Sequence, residues 1–178
     1  MKIWKVEINN EKEYVIKCGS YFLKCQIGLN GIIKFSNKKE GDLCTPQGIF
    51  KIKSIFYRPD KILTTELPFN QIFKYNKITK NCGWCDDPNH KSYNQYIENK
   101  TSKFSGSFEK LWREDRAYDI FVEIGFNDNP IIVDKGSAIF VHCSFEDLRP
   151  TSGCIALNRN DLLFLICEMQ SSDKILIV

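Results

Sequence analysis

The amino-acid sequence predicts a mainly β fold with short helices (α+β) in a single domain. Three observations carry that expectation. Apolar and polar residues alternate with a period of two over much of the chain, as in half-buried strands. Clusters of Asn, Gly and Lys separate the alternating runs as turns do. Only two segments carry the start signals of a helix. The 178 residues suit one domain spanning residues 1–178 and are enough to bury a core without staples.

The elements follow in order. KIWKVEI, EYVIKC, YFLKCQIGL and GIIKFS, all within the first 36 residues, read as short strands. GIFKIKSIFY is a longer strand opened by Thr45-Pro46-Gln47-Gly48. From Arg58 to Lys103 the chain is rich in Asn, Asp, Lys and Pro and its periodicity is weak. It reads as an irregular excursion holding short strands. Ser107 is a candidate cap for a short helix, FEKLWRED, with Leu111 and Trp112 facing inward. YDIFVEIGFN and the run from Gly136 to Phe145 are strong strands. Asn158 is expected to cap a helix, RNDLLFLICEMQ, with Asp161 three residues on as in a capping box. KILIV closes the chain as a strand.

Composition narrows the function classes. Apolar residues make up 43%, which argues against disorder. A pI near 8.3 with dispersed basic residues does not point to nucleic acid. The N-terminal stretch alternates and lacks a continuous apolar region, so no signal peptide is visible. No run is long enough to span a membrane. Four of the eight cysteines, Cys18, Cys25, Cys44 and Cys167, sit in or beside apolar runs, where free cysteine behaves as a small hydrophobe. Mostly reduced thiols are expected.

The chemistry concentrates in IFVHCSFEDLRPTSGCIAL, residues 139–157. Cys154 follows Gly153 at the end of a Thr-Ser-Gly turn, so its thiol would be presented on a loop. The N–H groups of Gly153 and Cys154 could point at one spot and form an oxyanion hole. A free thiol needs a partner to ionise near neutral pH. His142, one of two histidines, ends an apolar strand that leads toward this turn. A Cys–His pair is the minimal kit for acyl transfer through a thioester. The same residues also read as a hydrogen-bonded strand histidine and a buried thiol. Cys143 should point to the opposite face of the strand from His142, making it a poor nucleophile. A metal reading is also open. Cys82-Gly-Trp-Cys85 is a CxxC, and with His90 and a fourth ligand it could hold zinc.

His142 and Thr151-Ser-Gly-Cys154-Ile-Ala-Leu resemble the active-site signature of the L,D-transpeptidase catalytic domain (YkuD-like) family. Its usual form is a His, a dozen or more residues, then Ser-His-Gly-Cys. The stretch from Pro150 to Leu157 matches the branch whose signature reads Pro-Thr-x-Gly-Cys-x-x-Leu. Gly41 to Phe50 resembles the family's Gly-Asp-x-x-Thr-Pro-x-Gly strand. Asn81 to Asn94 resembles that branch's Trp-Cys-Asp-Asp and Tyr-Asn motifs. Glu109, Tyr118-Asp119, Asn127 and Gly136 to His142 follow in the expected order. The resemblance is strongest over residues 35–175. The chain departs from the main branch at Ser152, where that branch has a second His, and at Ala156, where it often has Arg.

The resemblance implies a single-domain YkuD-like β-sandwich or barrel and a cysteine-dependent acyltransferase or peptidase acting on peptidoglycan stem peptides. Transpeptidase, carboxypeptidase and endopeptidase activities share its acyl-enzyme. It implies Cys154 as nucleophile, His142 as base and the backbone carbonyl of Cys143 as the group that orients the ring. It implies no metal or other cofactor. Arg149, Thr151, Ser152, Trp84, Tyr93 and Asn94 are candidates for contact with substrate. Arg149 is suited to a carboxylate, and Trp84 and Tyr93 read equally as core. The family works outside the cytoplasm, so the resemblance implies the periplasm or cell envelope; the absence of a visible signal peptide leaves the cytoplasm as the other expectation. Two other functions fit parts of the pattern: an inactive peptidoglycan-binding module and a zinc-stabilised structural protein.

Overall fold

In the computed structural model, which describes residues 1–68, 73–98 and 101–178, strands dominate. They are β1 (Ile3–Ile8), β2 (Tyr14–Cys18), β3 (Tyr21–Lys24), β4 (Ile32–Lys34), β5 (Thr45–Tyr57), β6 (Lys74–Lys77), β7 (Gly83–Cys85), β8 (Tyr96–Ile97), β9 (Phe108–Lys110), β10 (Ile120–Ile124), β11 (Phe140–Cys143), β12 (Ile155–Leu157) and β13 (Lys174–Ile177). The one α-helix among the described residues is α1 (Arg159–Glu168). Ten strands form the main sheet, in the order β12-β11-β10-β5-β13-β1-β2-β3, with β4 and β6 also paired to β5. A second sheet runs β8-β7-β9. No helix among the described residues is long and apolar enough to cross a membrane.

The long strand β5 organises the fold. Its first half pairs with β13 and its second half with β10. It begins at Thr45, so the residues expected to open it are part of it. Past Lys24 the chain turns away from β2, and Gln26 bridges back to Ala156 in β12. That contact nearly closes the main sheet into a barrel. The principal core fills the interior with Trp4, Ile16, Ile55, Val122, Val141 and Ile155, and α1 covers one opening with Leu162, Leu165 and Ile166. A smaller aromatic core on the other face joins Phe56, Phe121 and Phe140 to Trp84 of the small sheet. Strands β10 and β11 are therefore covered on both sides, which accounts for their almost continuous apolar sequence.

The expected cap of α1 is present: Asn158 accepts a hydrogen bond from the Asp161 N–H at 2.9 Å. The Asp161 carboxylate returns to the Asn158 side-chain amide rather than to its backbone. The helix expected over FEKLWRED is not formed. Phe108–Lys110 is strand β9, with Glu109 paired to Trp84 across β7. The Ser107 hydroxyl, expected to cap, donates instead to the Asp86 carboxylate. A partner strand some 25 residues earlier outweighs the local cap signal. Leu111 is buried as expected, and the Arg58 guanidinium lies 3.5 Å from the centre of the Trp112 ring. Residues 69–72 and 99–100 of the Arg58–Lys103 excursion lie outside the described residues.

Candidate active site

Register brings the two candidate residues together. His142 of β11 pairs with Ala156 of the parallel strand β12 and with Phe121 of β10, and paired residues share a face of the sheet. Cys154 lies two residues before Ala156, so period two puts it on that same face. Cys143 is on the other, in the principal core, with its thiol directed at the Ile120 carbonyl at 3.7 Å. Cys154 and His142 line one cleft of about 380 Å³. Its other walls include Lys38, Glu109, Arg113, Tyr118, Ser137 and Arg149.

The imidazole is fixed in one tautomer. Its Nδ1 lies 2.7 Å from the Cys143 carbonyl. A carbonyl only accepts, so Nδ1 carries the hydrogen and Nε2 keeps a free lone pair. Tyr118 meets the ring edge-on at 5.4 Å between centroids. Burial holds the His142 pKa down to about 4, so the ring is neutral near pH 7.

The Cys154 thiol is buried and donates to the Ala138 carbonyl at 3.1 Å, while its sulfur accepts from the Phe140 N–H at 3.2 Å. No hydrogen bond among the described residues joins it to His142. At rest the thiol is parked on Ala138. Burial pushes the thiol up to about 12. Both groups rest neutral.

The turn before the thiol is built from hydroxyl and glycine chemistry. Thr151 Oγ1 donates to the Cys154 carbonyl at 2.6 Å and accepts from the Gly153 N–H at 3.1 Å. That corrects one expectation: the Gly153 N–H is engaged by Thr151 rather than aimed into the cleft. Gly153 has φ +138°, and a Cβ there would sit 2.8 Å from the Cys44 carbonyl. The Gly41–Phe50 segment thus backs directly onto the turn before Cys154, and only glycine allows the approach.

Thr151, Ser152 and Arg149 line the cleft. The Arg149 guanidinium lies 4.0 Å from the centre of the Phe145 ring. Trp84, Tyr93 and Asn94 do not line it; they stand behind it. Asn94 Oδ1 accepts from Trp84 Nε1 at 2.9 Å and from the Ala138 N–H at 3.1 Å. Its amide donates to the carbonyls of Phe126 and Asn127. The Tyr93 hydroxyl accepts from the Gly136 N–H. Together they clamp the loop that carries Ala138, whose carbonyl holds the thiol. Ala138 has φ +52°, a left-handed conformation disfavoured for a residue with a Cβ, and the clamp holds it there. Sequence alone identified these residues as a group but had no means to separate lining from bracing.

Asn94→Ala should leave two buried N–H donors without partners, at roughly 1–3 kcal/mol each. Urea unfolding should report a loss of at least about 2 kcal/mol; a variant as stable as the parent would count against the clamp.

The zinc reading loses its ligand set. Cys82 and Cys85 are at the start and end of an extended segment, where residues three apart face opposite ways. His90 Nδ1 accepts from the Ser92 N–H. No three His, Cys, Asp or Glu side chains among the described residues converge to hold a metal ion. All eight cysteines are free thiols. Sequence reasoning passed over Lys38, Ser137 and Arg113, which stand in the cleft wall; Lys38 and Arg113 lie close to quoted motifs, and nothing local marks Ser137 as distinct from a strand residue.

YkuD, the L,D-transpeptidase catalytic domain, is the family whose sequence profile matches, over residues 5–177. Two solved structures also match. One is L,D-transpeptidase 1 of Mycobacterium tuberculosis, at 11% identity and TM-score 0.40, covering 100% of this chain and 60% of that one. The other is an L,D-transpeptidase from Mycobacterium smegmatis, at 10% identity and TM-score 0.41, covering 99% of this chain and 58% of that one. The chain thus spans about three-fifths of the length of either. No curated protein matches.

Proposed function

The chain belongs to the L,D-transpeptidase catalytic domain family, and on that premise we propose that it is a cysteine-dependent acyltransferase acting on peptidoglycan stem peptides. The observation that carries the reading is the shared cleft, lined by a thiol and by an imidazole whose Nδ1–H is bonded to the Cys143 carbonyl.

The chemistry follows from two neutral groups. Ionising the thiol in advance would create a buried ion pair with few compensating contacts. Sulfur attack and proton transfer to Nε2 therefore run together, when a substrate carbonyl displaces the thiol from Ala138. The new C–S bond gives a tetrahedral oxyanion. Of the two N–H groups expected to hold it, the Cys154 N–H takes that role, since the Gly153 N–H serves Thr151. The imidazolium then gives its proton to the leaving D-amino group as the C–N bond breaks, leaving a thioester. An incoming amine completes transpeptidation; water completes carboxypeptidation. The substrate assigns the work to the cell envelope.

Incubation with purified tetrapeptide and pentapeptide stems, followed by intact-protein and product mass spectrometry, tests the reading. Expected are an acyl adduct on Cys154, release of a terminal D-residue, and a cross-linked product when an acceptor amine is supplied. Stem binding with neither adduct nor release would overturn it in favour of a binding module.

A further inference from the structure

We propose that the bare outer face of β5, β13, β1, β2 and β3 docks on an anionic lipid bilayer. The surface needs nothing from Cys154 or His142, which lie over β11 and β12 at the other end of the strand order.

Alternation fixes which side chains point outward. Phe50 of β5, Ile175 of β13, Trp4 of β1, Ile16 of β2 and Leu23 of β3 belong to the principal core. Their strand neighbours therefore face away from it. Over β10 and β11 that outer side is covered by the small sheet, through the aromatic core of Phe121, Phe140 and Trp84. Over the other five strands it is open: Ile3, Phe22 and Ile49 are 44%, 55% and 59% exposed.

Register assembles two rows on this face. The first is Lys51, Lys174 and Ile3. The second is Ile49, Leu176, Lys5, Lys17 and Phe22. Ile49 and Leu176 are directly paired, and Ile3 is diagonal to Leu176, within reach across adjacent strands. An aliphatic patch thus forms with lysines around it, although the basic residues are dispersed along the sequence. Two pairs of them stand directly opposite each other, Lys51 with Lys174 and Lys5 with Lys17. Like charges so placed destabilise a sheet. Glu7 joins both Lys5 and Lys17 and relieves the second pair. The row of Lys51 and Lys174 holds no acidic residue, which leaves that pair to a counter-charge from outside the chain.

The side-chain types choose among anionic partners. Protein interfaces favour arginine and aromatic residues and are poor in lysine, and every cation in these rows is lysine. A soluble polyanion matches the lysines but leaves the exposed isoleucines in water. A bilayer accepts both kinds of side chain: the ammonium groups meet lipid phosphates, while their stems and the aliphatic side chains enter the headgroup boundary.

Flotation of the purified chain with vesicles tests the surface. Vesicles of phosphatidylcholine alone are compared with an equimolar mixture of phosphatidylcholine and phosphatidylglycerol over a range of salt. Binding is expected to the mixture, and it should fall as salt screens the lysines. Each lysine near an anionic surface is worth about fivefold in partition, so joint replacement Lys51→Gln and Lys174→Gln should weaken binding roughly 25-fold. The same variant loses a like-charge pair, so its urea midpoint should hold or rise, which separates the loss from a folding defect. Ile49→Thr keeps a β-branched residue and should weaken binding to vesicles but not to polyphosphate. No binding of the parent to the anionic vesicles, or binding indifferent to the lysine variant, would overturn the proposal. So would vesicle binding indifferent to Ile49→Thr and matched by polyphosphate at equal phosphate, which marks a polyanion site. A dimer in solution that either variant dissociates would also overturn it and assign the face to a second copy.

Discussion

Replacing Cys154 with Ala is expected to abolish stem-peptide turnover, a fall of more than roughly 10⁴-fold, as for loss of a nucleophile. The thiol also has structural partners, so the variant must be read with care. Its sulfur accepts the Phe140 N–H and its hydrogen serves the Ala138 carbonyl. Alanine leaves both without a side-chain partner, at roughly 1–3 kcal/mol for the buried donor. Cys154→Ser keeps a donor and an acceptor in place, so it should unfold near the wild-type midpoint and still fail to turn over. Cys143→Ala is the contrast. It should lower stability modestly through a small core cavity, roughly 1 kcal/mol, and leave turnover unaffected, because its side chain lies on the far face of β11. Single-turnover assays with adduct mapping decide the matter. Appreciable turnover by Cys154→Ala, or an acyl adduct on another cysteine, would remove the nucleophile from the mechanism.

Replacing His142 with Ala should cost roughly 10²–10⁴-fold in the acylation rate, the range for losing general acid–base help. The pH dependence separates this from a packing defect. In the free wild-type protein burial holds the ring's pKa down to about 4, below the usual 6.5. The acid limb of kcat/KM should therefore lie near pH 4. The variant should lack that limb, and its rate should climb with pH, since the thiol must ionise alone at about 12. Stability carries the same signature. A histidine whose folded pKa is depressed leaves the unfolded state holding more protons between the two values. The neutral ring's advantage is intact above 6.5 and is lost as pH falls toward 4, a change of about 3 kcal/mol. His142→Ala should flatten that window. A variant that acylates at the wild-type rate throughout would leave His142 as a buried strand residue.

Much of this was legible in the sequence, for particular reasons. Strands β1, β2, β5, β10, β11 and β13 alternate or run apolar strongly enough for period alone to find them. Asn158 and Asp161 announce α1 locally. Cys154 and His142 stood out because the turn before Cys154 and the motifs that precede it in order resemble one family's signature. The short strand β9 was misread because its pairing partner, Trp84 and its neighbours, is distant in sequence, while Ser107 offers a nearby cap. Asn94 was misassigned for a related reason. Its worth lies in four hydrogen bonds to three remote segments, and no spacing rule reveals contacts of that kind.

The position of β13 has a consequence for how the chain folds. The strand lies between β1 and β5, parallel to the first and antiparallel to the second. Its pairing with β1 joins Ile3 to Lys174, nearly the whole chain apart. The N-terminal hairpin of β1, β2 and β3 can form early but stays detached from the rest of the sheet until residues 174–177 arrive. The loop-closure entropy for that step is met late, and it places the protein among slow-folding topologies, with expected refolding times of roughly milliseconds to seconds. Until then β1 and β5 each present an unpaired edge, so the folding chain is most exposed to aggregation just before β13 docks.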